Sequence, residues 1–220
     1  MAIVCDDLDL LYLCTDKTGS TSVSNLLLDE LGGRWVPPDH IWADGELVVD
    51  FKHSSLADLV RHDVLGPDDL ARMEIAITVR NPFAWVLSGF RYRRKVYRQR
   101  AQLGAAAPDW MQVRGWDIED AARLDFDDYV AGRYDGRRDG VAKRFVAGYT
   151  DLPHLTYLRI EHIDDELSSL LDRLGVGWEV SVPRTNRTDG DEYTSVYSAR
   201  SRAIVTAAFA DDLDQFGYEF

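Results

Sequence analysis

Apolar and polar positions along the chain repeat with two different periods, and the switches between them mark its elements. Leu8 to Cys14 (Leu-Asp-Leu-Leu-Tyr-Leu-Cys) is a short apolar run bounded by polar residues, which predicts a buried strand. A turn containing Gly and Ser follows. Val23, Leu26, Leu27, Glu30 and Leu31 then recur at helical spacing up to a Gly32-Gly33 stop. Residues 34–45, with Pro37, Pro38 and Gly45, read as loop. Glu46 to Lys52 predicts a second strand. Ser54 or Ser55 is placed to cap a helix through Leu59 and Val60, and another short helix is expected over Asp68 to Met73.

Glu74 to Val79 (Glu-Ile-Ala-Ile-Thr-Val) predicts a third strand. Asn81-Pro82 opens a long helix, with Pro at its first position and Phe83, Val86, Leu87 and Phe90 as its buried stripe. Between about 100 and 150 the pattern becomes short helices, expected over Asp117 to Leu124, Phe126 to Ala131 and Val141 to Tyr149. This stretch reads as a helical insert within a single domain spanning 1–220. Leu155 to Ile160 predicts a fourth strand, Glu166 to Leu174 a helix, 181–193 a polar loop and Ala199 to Phe216 a C-terminal helix. Strands alternating with helices imply an α/β fold, a central parallel sheet with helices on both faces. Ligands of such sheets bind at the carboxyl ends of the strands. Two strand ends stand out, the loop 15–22 and the turn 80–82.

Composition narrows what such a site would hold. At 220 residues, 45% hydrophobic and 11% aromatic, the chain can bury a core. Its formal charge of −13 argues against a general grip on nucleic acid. An anionic ligand then needs a local basic pocket, with Lys17 and Arg80 as the obvious contributors. Two cysteines, Cys5 and Cys14, are too few for a disulfide scaffold and read as small buried hydrophobes. No signal peptide or membrane-spanning stretch is recognisable, so the expected compartment is the cytoplasm. The five histidines are scattered, with no His-x-x-x-His spacing, so no metal is expected.

The loop Thr15-Asp16-Lys17-Thr18-Gly19-Ser20-Thr21-Ser22 joins the first predicted strand to a helix. Backbone N–H groups at a helix N-terminus favour an anion. Gly19 permits positive φ or close approach, the hydroxyls of Thr18, Ser20, Thr21 and Ser22 are potential donors, and Lys17 is a mobile point charge. Taken alone, the same residues read equally well as a capped helix with a solvated lysine. An ATP-binding P-loop requires glycine before the lysine, and Asp16 stands there. At the second strand end, Arg80 and, eight residues on, Ser88 can hold one phosphate by charge and hydroxyl donation; Arg80 paired with a carboxylate is the alternative.

Taken together, these segments resemble the sulfotransferases that use 3′-phosphoadenosine 5′-phosphosulfate, particularly their carbohydrate-type branch. Lys17 to Ser22 is similar to that family's 5′-phosphosulfate loop, and Val79-Arg80-Asn81-Pro82-Phe83 with Ser88-Gly89-Phe90 to its 3′-phosphate motif. Tyr157 to Ile163 and the ending Phe209-Ala210-Asp211-Asp212, Phe216-Gly217-Tyr218 resemble later family segments. The resemblance implies a P-loop-like three-layer fold and an enzyme that moves a sulfuryl group to a hydroxyl or amine of a carbohydrate or small-metabolite acceptor. Adenosine 3′,5′-bisphosphate would leave, and no metal would be needed. It further implies that Lys17 stabilises charge on the bridging oxygen, that Lys17, Thr18, Gly19, Ser20, Thr21 and Ser22 hold the 5′ end, and that Arg80 and Ser88 hold the 3′-phosphate.

Under the same resemblance the acceptor needs a general base, and His53, at the end of the second predicted strand, is the candidate, ahead of His40, His62 and His162. Lys52 beside it could assist. Arg184 and Asn186, in a late polar loop, correspond loosely to a segment that closes over the nucleotide. Arg91, Arg93, Arg94, Lys95, Arg98 and Arg100, with Tyr92, Tyr97, Trp110 and Trp116 nearby, form either an acceptor rim or a solvated basic face. The rival classes are a nucleotide kinase or other P-loop phosphotransferase, and a non-catalytic nucleotide-binding module on the same fold.

Overall fold

The computed structural model describes residues 2–50, 53–108, 111, 118–177, 180–182 and 193–220. In chain order its elements are β1 (Ala2–Cys5), β2 (Leu10–Leu13), α1 (Ser20–Glu30), β3 (Arg34–Val36), β4 (Ile41–Ala43), β5 (Glu46–Val49), α2 (Leu56–Arg61), α3 (Pro67–Arg72), β6 (Glu74–Val79), α4 (Pro82–Leu103), α5 (Ile118–Arg123), α6 (Phe126–Tyr134), α7 (Lys143–Val146), β7 (Leu155–Arg159), α8 (Ile163–Arg173), α9 (Ala199–Ala208) and α10 (Ala210–Phe216). They form two compact units, one of 1–80 with 141–187 and one of 81–140 with 188–220.

The first unit is an α/β body on a five-stranded sheet ordered β3-β1-β2-β6-β7. The expected all-parallel sheet is corrected to a mixed one. β2, β6 and β7 run parallel, but β1 is antiparallel to both β2 and β3. The cause is local. The predicted strand over 8–14 is the second arm of a hairpin whose first arm is the buried Ala2–Cys5. A 3-10 turn at Asp6–Leu8 and a left-handed Asp9 (φ 48°) reverse the chain between them.

Residues 34–45, expected to be loop, contain β3 and β4. The strand expected over 46–52 is β5, which ends at Val49 and pairs only with β4 in a separate two-stranded sheet. Three residues are too few to show alternation, so neither pairing could be anticipated from the pattern.

One face of the main sheet buries Ile3, Cys5, Leu10, Tyr12, Cys14, Ala76 and Leu158 against Val23 and Leu27 of α1 and Ile163, Leu167, Leu170 and Leu171 of α8. The alternate positions Leu11, Leu13, Ile75, Ile77 and Val79 are buried as well. Burial on both faces explains why these strands read as continuous apolar runs. Cys5 and Cys14 are free and buried, with both thiols pushed up to about 11, chiefly by burial.

The second unit is helical. Asn81 caps α4 by accepting the Phe83 N–H at 3.0 Å, and Pro82 occupies the first turn. The single C-terminal helix expected over 199–216 is two, α9 and α10, broken at Phe209 (φ −111°, ψ 26°). In the first unit, α8 begins at Ile163, ahead of the expected Glu166, and the helix expected over 141–149 is the four-residue α7. Among the described residues no helix is long and apolar enough to cross a membrane.

Candidate functional site

Parallel pairing of β2, β6 and β7 brings their carboxyl ends to one rim of the first unit. Thr15 follows β2, Arg80 follows β6 and Ile160 follows β7. The loop after β2 is built by hydroxyls aimed inward. Thr15 donates through Oγ1 to the Thr78 carbonyl at 2.6 Å, and its Oγ1 lies 2.5 Å from that of Thr18. Thr18 Oγ1 also meets Thr78 Oγ1 at 2.9 Å, and Tyr12 Oη meets the same Thr78 hydroxyl at 3.0 Å. Ser20 donates back to the Thr15 carbonyl at 2.8 Å.

Thr15, Thr18 and Thr78 are fully buried. A buried hydroxyl without a partner costs about 1–3 kcal/mol, so this network pins the loop to β6. The Thr18 hydroxyl is therefore directed into the core, and what Thr18 presents at the rim is backbone. Ser20 is half-buried, Thr21 exposed and Ser22 buried at the start of α1.

Two left-handed residues shape the turn. Lys17 has φ 62° and Gly19, the residue before α1, has φ 72°. At Gly19 the requirement for glycine is double. The backbone is one that L side chains rarely adopt, and a Cβ would lie 2.7 Å from Ile160 Cδ1. Both residues immediately precede the N-terminus of α1, where the helix dipole favours negative charge.

Arg80 joins the loop directly: its Nη1 donates to the Lys17 carbonyl at 3.0 Å. A guanidinium from the end of β6 is thus held against the backbone of a loop 63 residues away in sequence. Asp16, next to Lys17, accepts from Arg144 Nη2 at 2.7 Å, which offsets a carboxylate that would otherwise oppose an anion. Arg144 sits on α7, and no feature of the sequence links it to the loop.

His53 lies in a turn beyond β5, its N–H donating to the Asp50 carbonyl at 3.1 Å. It is therefore not at the end of a main-sheet strand, as expected, because β5 does not enter that sheet. Its Nδ1 is buried and has no hydrogen-bond partner among the described residues. Burial pushes its pKa down to about 4; the carboxylates of Asp16 and Asp50 act the other way and Arg144 acts with burial. The imidazole is neutral at neutral pH, the state a proton acceptor needs, and it shares the electrostatic surroundings of the Lys17 loop through Asp16.

The other sequence candidates are distributed as follows. Ser88 is half-buried on α4 of the second unit, and Asn81 and Phe83 of the same motif have structural work there. Asn81 Nδ2 donates to the Glu219 carbonyl at 2.8 Å, and Phe83 packs within 6.1 Å of the rings of Tyr193, Tyr197 and Phe220. His62 is the C-terminal cap of α2, and His162 is exposed before α8. Lys52, Trp110, Trp116, Arg184 and Asn186 lie outside the described residues. On α4, Arg100 pairs with Glu119, and Arg94 lies over Phe90 at 5.3 Å, so part of the basic run is engaged locally.

The chain matches no family model, no curated protein and no solved structure.

Proposed function

We propose that this chain is a sulfotransferase that takes 3′-phosphoadenosine 5′-phosphosulfate as donor and sulfates a hydroxyl or amine of a small or carbohydrate acceptor. The observation that carries the reading is the hydrogen bond from Arg80 to the Lys17 carbonyl. It unites the two sequence segments that the resemblance assigns to opposite ends of one nucleotide.

The donor fits the residues present. In this reading the start of α1, preceded by left-handed Lys17 and Gly19, faces the 5′-phosphosulfate, and Lys17 supplies charge. Arg80 takes the 3′-phosphate. In the reaction an acceptor oxygen or nitrogen bonds to sulfur as the bond from sulfur to the bridging oxygen breaks. Lys17 offsets the charge left on that oxygen. The acceptor's proton passes to His53, whose low proton affinity in the free protein rises when the anionic donor is nearby.

A second reading, a nucleotide-binding module without catalysis, is favoured by one observation, the depressed basicity of His53. Thermal stabilisation by adenosine 3′,5′-bisphosphate, compared with ATP and magnesium, tests the donor site. A response confined to ATP–magnesium would refute it and favour a phosphotransferase. Sulfation by wild-type protein and its loss in His53→Ala would separate enzyme from module.

A further inference from the structure

Trp42 on β4 is 61% exposed and Leu47 on β5 is 42% exposed. They are register partners in the hairpin, so their side chains share a face. The segment that forms the hairpin is acidic: between Trp35 and Asp50 the chain carries Asp39, Asp44, Glu46 and Asp50 and neither Lys nor Arg. A continuous path leads from this face to the candidate base. The His40 ring meets Trp42 edge-on at 6.4 Å, His40 Nδ1 is 3.5 Å from Asp50 Oδ1, and the Asp50 carbonyl accepts the His53 N–H at 3.1 Å.

We propose that the β4–β5 hairpin is the acceptor platform, and that it takes a polyhydroxylated ring compound bearing a positive charge, of which an amino sugar is the simplest case. The exposed indole offers a flat apolar face for the C–H side of a saturated ring and attracts a nearby cation. The carboxylates of Asp44 and Glu46 accept hydrogen bonds from hydroxyl and ammonium groups, and the same charges repel an anionic acceptor. Continuity with Asp50 and His53 brings the reacting group of such a compound toward the base. The reaction rests on the sulfotransferase reading; the binding preference stands on the hairpin alone.

The test is an NMR titration of the whole chain with a glucosamine disaccharide, its N-acetylated counterpart and a uronic acid disaccharide, at mildly acidic pH where the amines are charged. The glucosamine disaccharide should bind best and the uronic acid disaccharide not at all. Trp42→Ala should weaken the former about tenfold, as expected for losing a cation–aromatic contact, Trp42→Phe should retain most of it, and Glu46→Gln should cost about threefold. Equal affinity in Trp42→Ala, equal or tighter binding of the uronic acid disaccharide, or no binding of the glucosamine disaccharide would each overturn the platform. Adenosine 3′,5′-bisphosphate added to the same samples separates the two readings. If it binds neither wild type nor variant while the amino sugar does, the donor site falls and the platform stands. If it binds both proteins alike, the effect of Trp42→Ala is local to the hairpin.

Discussion

Arg80 reaches back from the end of β6 and donates to the backbone carbonyl of Lys17 at 3.0 Å. The contact makes the guanidinium part of the loop that precedes α1. It also fixes the orientation of a planar five-donor group.

Replacing Arg80 should therefore have two effects. Arg80→Ala should weaken adenosine 3′,5′-bisphosphate binding about 30-fold, corresponding to roughly 2 kcal/mol for a charged hydrogen-bonding group. Arg80→Lys keeps the charge but not the fork and should recover only part of the loss. Calorimetric titration of the three proteins measures it; unchanged affinity in Arg80→Ala would remove Arg80 from the site.

Gly19 is constrained by both its own backbone and its neighbour. Gly19→Ala should destabilise the chain by about 1–2 kcal/mol, from the left-handed φ of 72° together with a Cβ placed 2.7 Å from Ile160 Cδ1. Ile160→Val removes the Cδ1 atom in the way. In the Gly19→Ala background it should restore part of the lost stability, while alone it costs about 1 kcal/mol. Urea unfolding of the double-mutant cycle reads the coupling; strict additivity would show that the steric contact does not matter.

His53 makes stability depend on pH in a defined window. Its folded pKa, about 4, lies below its ordinary value of 6.5. Between those values the unfolded chain binds more protons than the folded one, so stability should fall as pH drops from about 6.5 toward 4. The loss attributable to this residue is on the order of 2–3 kcal/mol. His53→Gln should flatten that part of the profile in chemical denaturation measured across the range. An unaltered slope would show that the imidazole is not held neutral by burial.

The structure also separates what was legible in the chain from what was not. The strand–loop–helix unit around Lys17 was legible because β2 is buried on both faces and α1 carries a helical stripe ending at Gly32-Gly33. Likewise β6 and β7 showed as short, mainly apolar or β-favouring runs, and α4 by Asn81-Pro82 at its start and its buried stripe. The three-residue strands β3 and β4 were not legible, because a period cannot be read from so few positions, and the pairing of β1 back onto β2 is set by the turn at Asp6–Asp9.

By itself, then, the sequence determined which residue types stand at the ends of the parallel strands: Lys17 and Gly19 after one, Arg80 after the next. Local patterning suffices for that, since a strand end is defined by where burial stops. Only the tertiary structure decided that Thr18 turns its hydroxyl to Thr78, that Arg80 touches the Lys17 backbone, that Arg144 offsets Asp16, and that His53 lies in a turn beyond a strand outside the main sheet. Each of these joins residues far apart in the chain. Their pairing follows from the register of β2, β6 and β7 and the packing around it, which no local period encodes.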